Sequence, residues 1–225
     1  MAVAAFTVIQ RAGKILKDDT GVRWGADELV RWLNDAQTEL AIWRPDQVAT
    51  IQTLALADGF RQSLPATAIK LIDIPNNSGG SRLAVRQIDR KDLDVIEPGW
   101  RASTPAAVIK HFIYDERTPR LFEVYPPALS ATVDACVARY PAKVTEPAAG
   151  TDYGAVAGSI DVPDHWVSAL VDFILYRAFS KDSELTVNAG RAQSHYQAFG
   201  NAIGVDLTAQ TTVSPKPSRP GQAAS

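Results

Sequence analysis

The sequence predicts an α+β fold: an antiparallel helical bundle formed by both chain ends, an inserted antiparallel β-rich domain of small-sandwich type, and an extended C-terminal arm. Three observations carry this. Apolar residues recur every three or four positions near both ends, the middle alternates with period two, and the last stretch has no period. The expected divisions are 1–48 and 161–204 for the two halves of the bundle, 49–160 for the insertion and 205–225 for the arm.

At the N-terminal end, Val8, Ile9, Ala12, Ile15 and Leu16 form a short stripe that stops before KDDTG. A longer stripe follows in RWGADELVRWLNDAQTELAIWRPD, where Leu29, Trp32, Leu33, Ala36, Leu40 and Trp43 share one helix face. Asp27 and Glu28 sit in its first turn, where carboxylates suit the helix dipole, and Pro45 ends it. Two helices joined by a tight connection make an antiparallel hairpin.

The middle reads as strands. ATIQTLALADGFRQSLP alternates and carries Asp58-Gly59, a turn signal. TAIKLIDIPNNSGG is a strand running into a loop from Asn76 to Ser81. Strands around 108–114 and 120–125 form a hairpin joined at DERTP, and ATVDACVARYP adds another strand. Between them, Ile88, Leu93 and Ile96 are spaced for a short helix closed by Pro98.

Helical periodicity returns after Pro163, with Val167, Leu170, Val171, Ile174 and Ala178 as one stripe. A second stripe, Leu185, Ala189, Ala192, Tyr196, Phe199 and Ile203, ends at Gly204, a residue suited to closing a helix. Residues 205–225 are rich in Pro, Ser, Thr and Ala and cannot build a core of their own.

The composition excludes several classes. A length of 225 residues with 46% hydrophobic content supports a packed core. A net charge of −2 encodes no general attraction to nucleic acid or anionic membrane, and the single cysteine, Cys136, excludes an internal disulfide. The N-terminal stretch is too short and polar for a membrane span and lacks the charged start of a secretory signal, so a soluble intracellular product is expected. Phosphate-loop, dinucleotide-binding and nucleophile-elbow motifs are missing, and His111, His165 and His195 fall on three different elements. No enzyme activity, cofactor or metal is expected. Asp89, Asp92 and Asp94 lie among Arg90 and Lys91 and read as a solvated, charge-compensated face. In RWGADELVRWLN, Trp32 shares its stripe with leucines, so core packing is favoured over base stacking.

Arg177 interrupts the most apolar helix. On the stripe of Leu170, Phe173 and Ile174 it is expected to face the core, where an unpaired guanidinium is costly. Asp182 in the following loop is its expected partner, and Asn34 occupies a comparable inward position on the earlier helix. Asn34, Arg177 and Asp182 would then tie the two helical pairs together. Tyr114, Phe122 and Tyr125 on the sheet leave a carbohydrate-binding module as an alternative reading.

A resemblance rests on motifs in a fixed order: WGADELVRWLNDAQ with RPD, then DGFRQSLP, LIDIPNN, VRQIDRKDLDVIEPGW, FEVYPPA, IDVPDHW, LYRAFSKDSE and FGNAIG. Over residues 24–204 the chain resembles head-to-tail adaptor proteins of short-tailed bacteriophages, relatives of the tail tubular protein A class. Gly25 departs from the serine or threonine cap expected there. The resemblance implies a structural virion protein, a dodecameric ring between the portal protein and the tail nozzle protein. The resemblance also implies that DNA passes through a central channel without specific binding and that no membrane is involved. A related neck or tail-completion protein is the alternative within this class. A ring needs two different patches per subunit. The loop residues Asn76, Asn77 and Ser78 and the hairpin-tip residues Asp115, Glu116 and Arg117 are the expected lateral or nozzle contacts. Related connectors reach the portal with a C-terminal arm. Here that arm would use Val205, Leu207 and Val213, an extended Pro215, Pro217 and Pro220, and the cations Lys216 and Arg219.

Overall fold

A computed structural model of the chain describes residues 3–78, 82–182 and 186–204. Helix α1 spans Ala5–Leu16 and closes at Lys17, whose left-handed conformation lets its N–H reach the carbonyls of Gly13 and Lys14. The Asp18 carboxylate then gathers the N–H groups of Val22, Arg23 and Trp24, so the turn is built around one side chain. Helix α2 spans Ala26–Trp43 and starts at Gly25 without a side-chain cap. It ends where Pro45 forbids continuation.

The insertion is a two-sheet sandwich, as the alternating pattern predicts. Its strands are β1 Ala49–Ala55, β2 Gly59–Ser63, β3 Ala68–Asn77, β4 Arg86–Gln87, β5 His111–Tyr114, β6 Leu121–Ala128 and β7 Thr132–Arg139, with helix α3 at Arg90–Ile96. One sheet has the order β1-β7-β3 and the other β2-β6-β5-β4. Neighbours are antiparallel except β4 and β5. Between the sheets lie Leu54, Leu71, Ile74, Phe112, Phe122, Val124, Val133 and Val137. A satellite cluster of Leu93, Trp100 and Ile113 seats α3 on the second sheet.

Asp58-Gly59 turns the chain as expected, with Gly59 at φ 112°, and carries it from one sheet to the other, so β1 and β2 do not pair. Gln62 replaces the missing ladder. Its amide donates to the carbonyls of Ala57 and Gly59 while its oxygen accepts from the Ala57 N–H. One local reading needs correction: Asn76 and Asn77 are not loop residues. Strand β3 continues through them because Asn76 pairs with Asp134 and Asn77 with Val133 of β7.

The helical body is completed by α4 Val167–Lys181 and α5 Thr186–Ile203, after a 3-10 turn at Asp164–Trp166 that follows Pro163. Helix α4 is its centre: α1, α2 and α5 all pack against it. The α4–α5 seam is aromatic, with Phe173 against Phe199 at 5.1 Å and Tyr176 against Tyr196 at 4.6 Å. Gly204 ends α5 at φ 74°, a conformation that favours glycine. Val144, Tyr153, Val156 and Ile160, expected in the insertion, pack in the same core as the helices.

Candidate assembly surfaces

The expected tie of Arg177 with Asp182 does not form. Arg177 is 44% exposed and lies 3.9 Å from Asp35 of α2. Position 177 falls at the edge of the α4 stripe, and the side chain leaves the core for solvent. Asp182 instead pairs with Arg23 and accepts a 2.9 Å hydrogen bond from Asn188. Asn34 is buried as expected, but its partner is the segment after β7. Its amide donates to the Val144 carbonyl and its oxygen accepts the Val144 N–H.

The joint between sandwich and helical body is polar and was not legible as a motif. Arg139, at the end of β7, donates twice to Asp161, at 2.6 and 2.9 Å. The same carboxylate accepts the Ala142 N–H, and the Asp161 N–H donates to Gln37 of α2. The Arg139 guanidinium holds the Asp161 carboxyl below its usual 3.8; burial opposes this, and the Ala142 N–H adds to the lowering. Gln37 is fully buried, and its Nε2 has no partner among the described residues. The one sequence signal was that Asn34 and Gln37 are polar residues three apart at inward positions of α2. Arg139 and Asp161 are 22 residues apart and carry no such signal.

The residues expected to make outward contacts separate into two groups. Asn77 is buried: its amide donates to the carbonyls of Leu83 and Ile109, and its oxygen accepts the Ile109 N–H. Asn76 and Ser78 are half-buried and donate to Asp134, which also accepts from Thr53. One carboxylate thus fastens all three strands of the first sheet. The side-chain amides of Asn76 and Asn77 and the Ser78 hydroxyl are thus engaged within the sandwich. The rest of the expected loop, residues 79–81, lies outside the described residues.

The hairpin tip between β5 and β6 does face solvent. Arg117 clamps Asp115 through Nε and Nη2 and also donates its backbone N–H, which holds the Asp115 carboxyl down to about 2. Glu116 is exposed, and the tip faces Asp89–Asp92 at the start of α3 across an open groove of about 710 Å³. Asp94 accepts from Trp100 Nε1 and Arg101, as the charge-compensated reading expects. Phe122 lies in the sandwich core and Tyr125 against the α3 cluster, so the aromatic platform of a carbohydrate-binding module is missing.

Among the described residues no group of three or more His, Cys, Asp or Glu could hold a metal ion, and no helix is long and apolar enough to cross a membrane. The sequence matches the SU10 adaptor protein family over residues 4–221. The chain belongs to the SU10 adaptor protein family. Membership makes it a phage adaptor with a structural role, a virion component that works through other head and tail proteins. No curated protein matches the chain. The match spans both cores of this adaptor, so helical body and sandwich are one inherited unit.

Proposed function

We propose that this adaptor forms a dodecameric ring between the portal and the tail nozzle, around a channel through which DNA leaves the head. The observation that carries the reading is the family match across residues 4–221. The near-neutral net charge supports it, because a strongly basic lining would hold phosphates through counterion release. The hairpin tip at Asp115–Arg117 supplies nozzle or lateral contacts. The C-terminal arm, with Val205, Leu207, Val213, Pro215, Lys216, Pro217, Arg219 and Pro220, lies outside the described residues and is assigned to the portal. The protein carries no catalytic activity of its own.

Mass photometry of the purified protein, alone and mixed with portal, tests this. The expected outcome is assembly onto the portal, and loss of portal binding on deletion of 208–225 with the fold retained by circular dichroism. Undiminished binding by the truncated chain removes the arm's role; indifference of the full chain to portal removes the adaptor-ring reading.

A further inference from the structure

Two surfaces of the helical body carry opposite charge around exposed isoleucines. On α1, Thr7, Gln10, Arg11, Lys14 and Ile15 line one shallow groove. Ile15 is 49% exposed although it belongs to an apolar stripe, and Arg11 and Lys14 have no ion-pair partner among the described residues. The second surface lies between α2 and α4, where Asp35, Thr38, Glu39, Ile42, Phe173 and Arg177 line a groove of about 360 Å³. Ile42 is 50% exposed, Glu39 has no ion-pair partner among the described residues, and Arg177 reaches Asp35 only at 3.9 Å. The first surface presents two cations and no anion. The second presents two anions and one cation, and its charge is therefore opposite.

We propose that these surfaces are the two halves of one contact between copies of this chain. The α1 strip of one copy docks in the α2–α4 groove of the next. Ile15 then covers Ile42 and the rim of Phe173, while Arg11 and Lys14 approach Glu39 and Asp35. The surfaces share no residue and lie on different helices, which is what a heterologous, head-to-tail interface requires. Apolar centres with charged flanks also match the usual anatomy of an interface. This explains why α1 keeps an isoleucine in water. It rests on the ring reading above and specifies which surfaces close the ring.

Charge exchange tests it. The pair Arg11→Glu/Lys14→Glu, and separately Asp35→Lys/Glu39→Lys, should each weaken self-association by about tenfold or more, because like charges then face each other. Combining all four substitutions in one chain should restore assembly, as should mixing the two double variants. Ile15→Cys with Ile42→Cys in a Cys136→Ser background should give a ladder of cross-linked oligomers under oxidation. Arg11, Lys14, Ile15, Asp35 and Ile42 are exposed helix positions, Glu39 is half-buried on α2 and Cys136 half-buried on β7, and circular dichroism checks that each variant folds. Rings that assemble normally with both charge-reversed variants, and without the ladder, overturn the proposal while leaving the ring reading intact. A chain that stays monomeric alone and on the portal overturns both.

Discussion

Asn77 shows how a residue's chemistry can be read correctly and its role misassigned. Two asparagines before Ser-Gly-Gly suggest a turn, because asparagine tolerates turn conformations. The same amide can complete a buried backbone, and here it satisfies Leu83 and both polar groups of Ile109. Asn77→Ala leaves those groups without partners inside the sandwich and should cost about 2–3 kcal/mol, measured by urea unfolding. An unchanged midpoint would contradict the structural role. Arg177→Leu provides the contrast. Its guanidinium is half in water and loosely paired, so the change should stay within about 0.5 kcal/mol. Neither outcome is readable from the sequence, since burial depends on partners 32 residues away for Asn77 and 142 positions away for Arg177.

Helices were the most legible elements, because period and end signals agree in each. Lys17, Pro45 and Gly204 close α1, α2 and α5 through local chemistry. Strands were legible as strands, but their partners were not: nothing near Asp58-Gly59 says that β1 and β2 enter different sheets. A constraint on α1 was equally hidden. Gly13 lies in its last turns, and a Cβ there would overlap the ring of Tyr153, which comes from a distant segment. Tyr153 cannot swing aside, because its hydroxyl donates to the Trp24 carbonyl at 2.6 Å. Helix propensity alone favours Gly13→Ala by about 1 kcal/mol, but overpacking costs about 1–3 kcal/mol. A lower melting temperature is the expected result, with a smaller penalty in a Tyr153→Leu background. A stabilised Gly13→Ala protein would show that the ring yields.

For the molecule as a whole, a polar joint ties the sandwich to the helices. Asp161 carries it, with its folded carboxyl held below 3.8. Its contribution is therefore complete above the unfolded value and fades as pH falls through the lower folded value. Asp161→Asn should remove about 1–2 kcal/mol at pH 7, after allowance for the partial exposure of Arg139. The gap to wild type should narrow on acidification below about pH 4, followed by denaturant melts across that range. A gap that stays constant with pH would place the effect elsewhere. The family relationship was legible because motifs from both cores keep their order along the chain, whereas the joint exists only in three dimensions.

The insertion also orders events in time. Leu29, Leu33 and Leu40 share a core with Leu170, Ile174 and Phe199, which the ribosome delivers only after the sandwich. The sandwich closes at Arg139, so a nascent chain can finish folding it while α1 and α2 still lack their cover. The α2–α4 groove does not exist until that cover arrives. On the contact proposed above, a subunit therefore gains its docking groove only after its sandwich has been made.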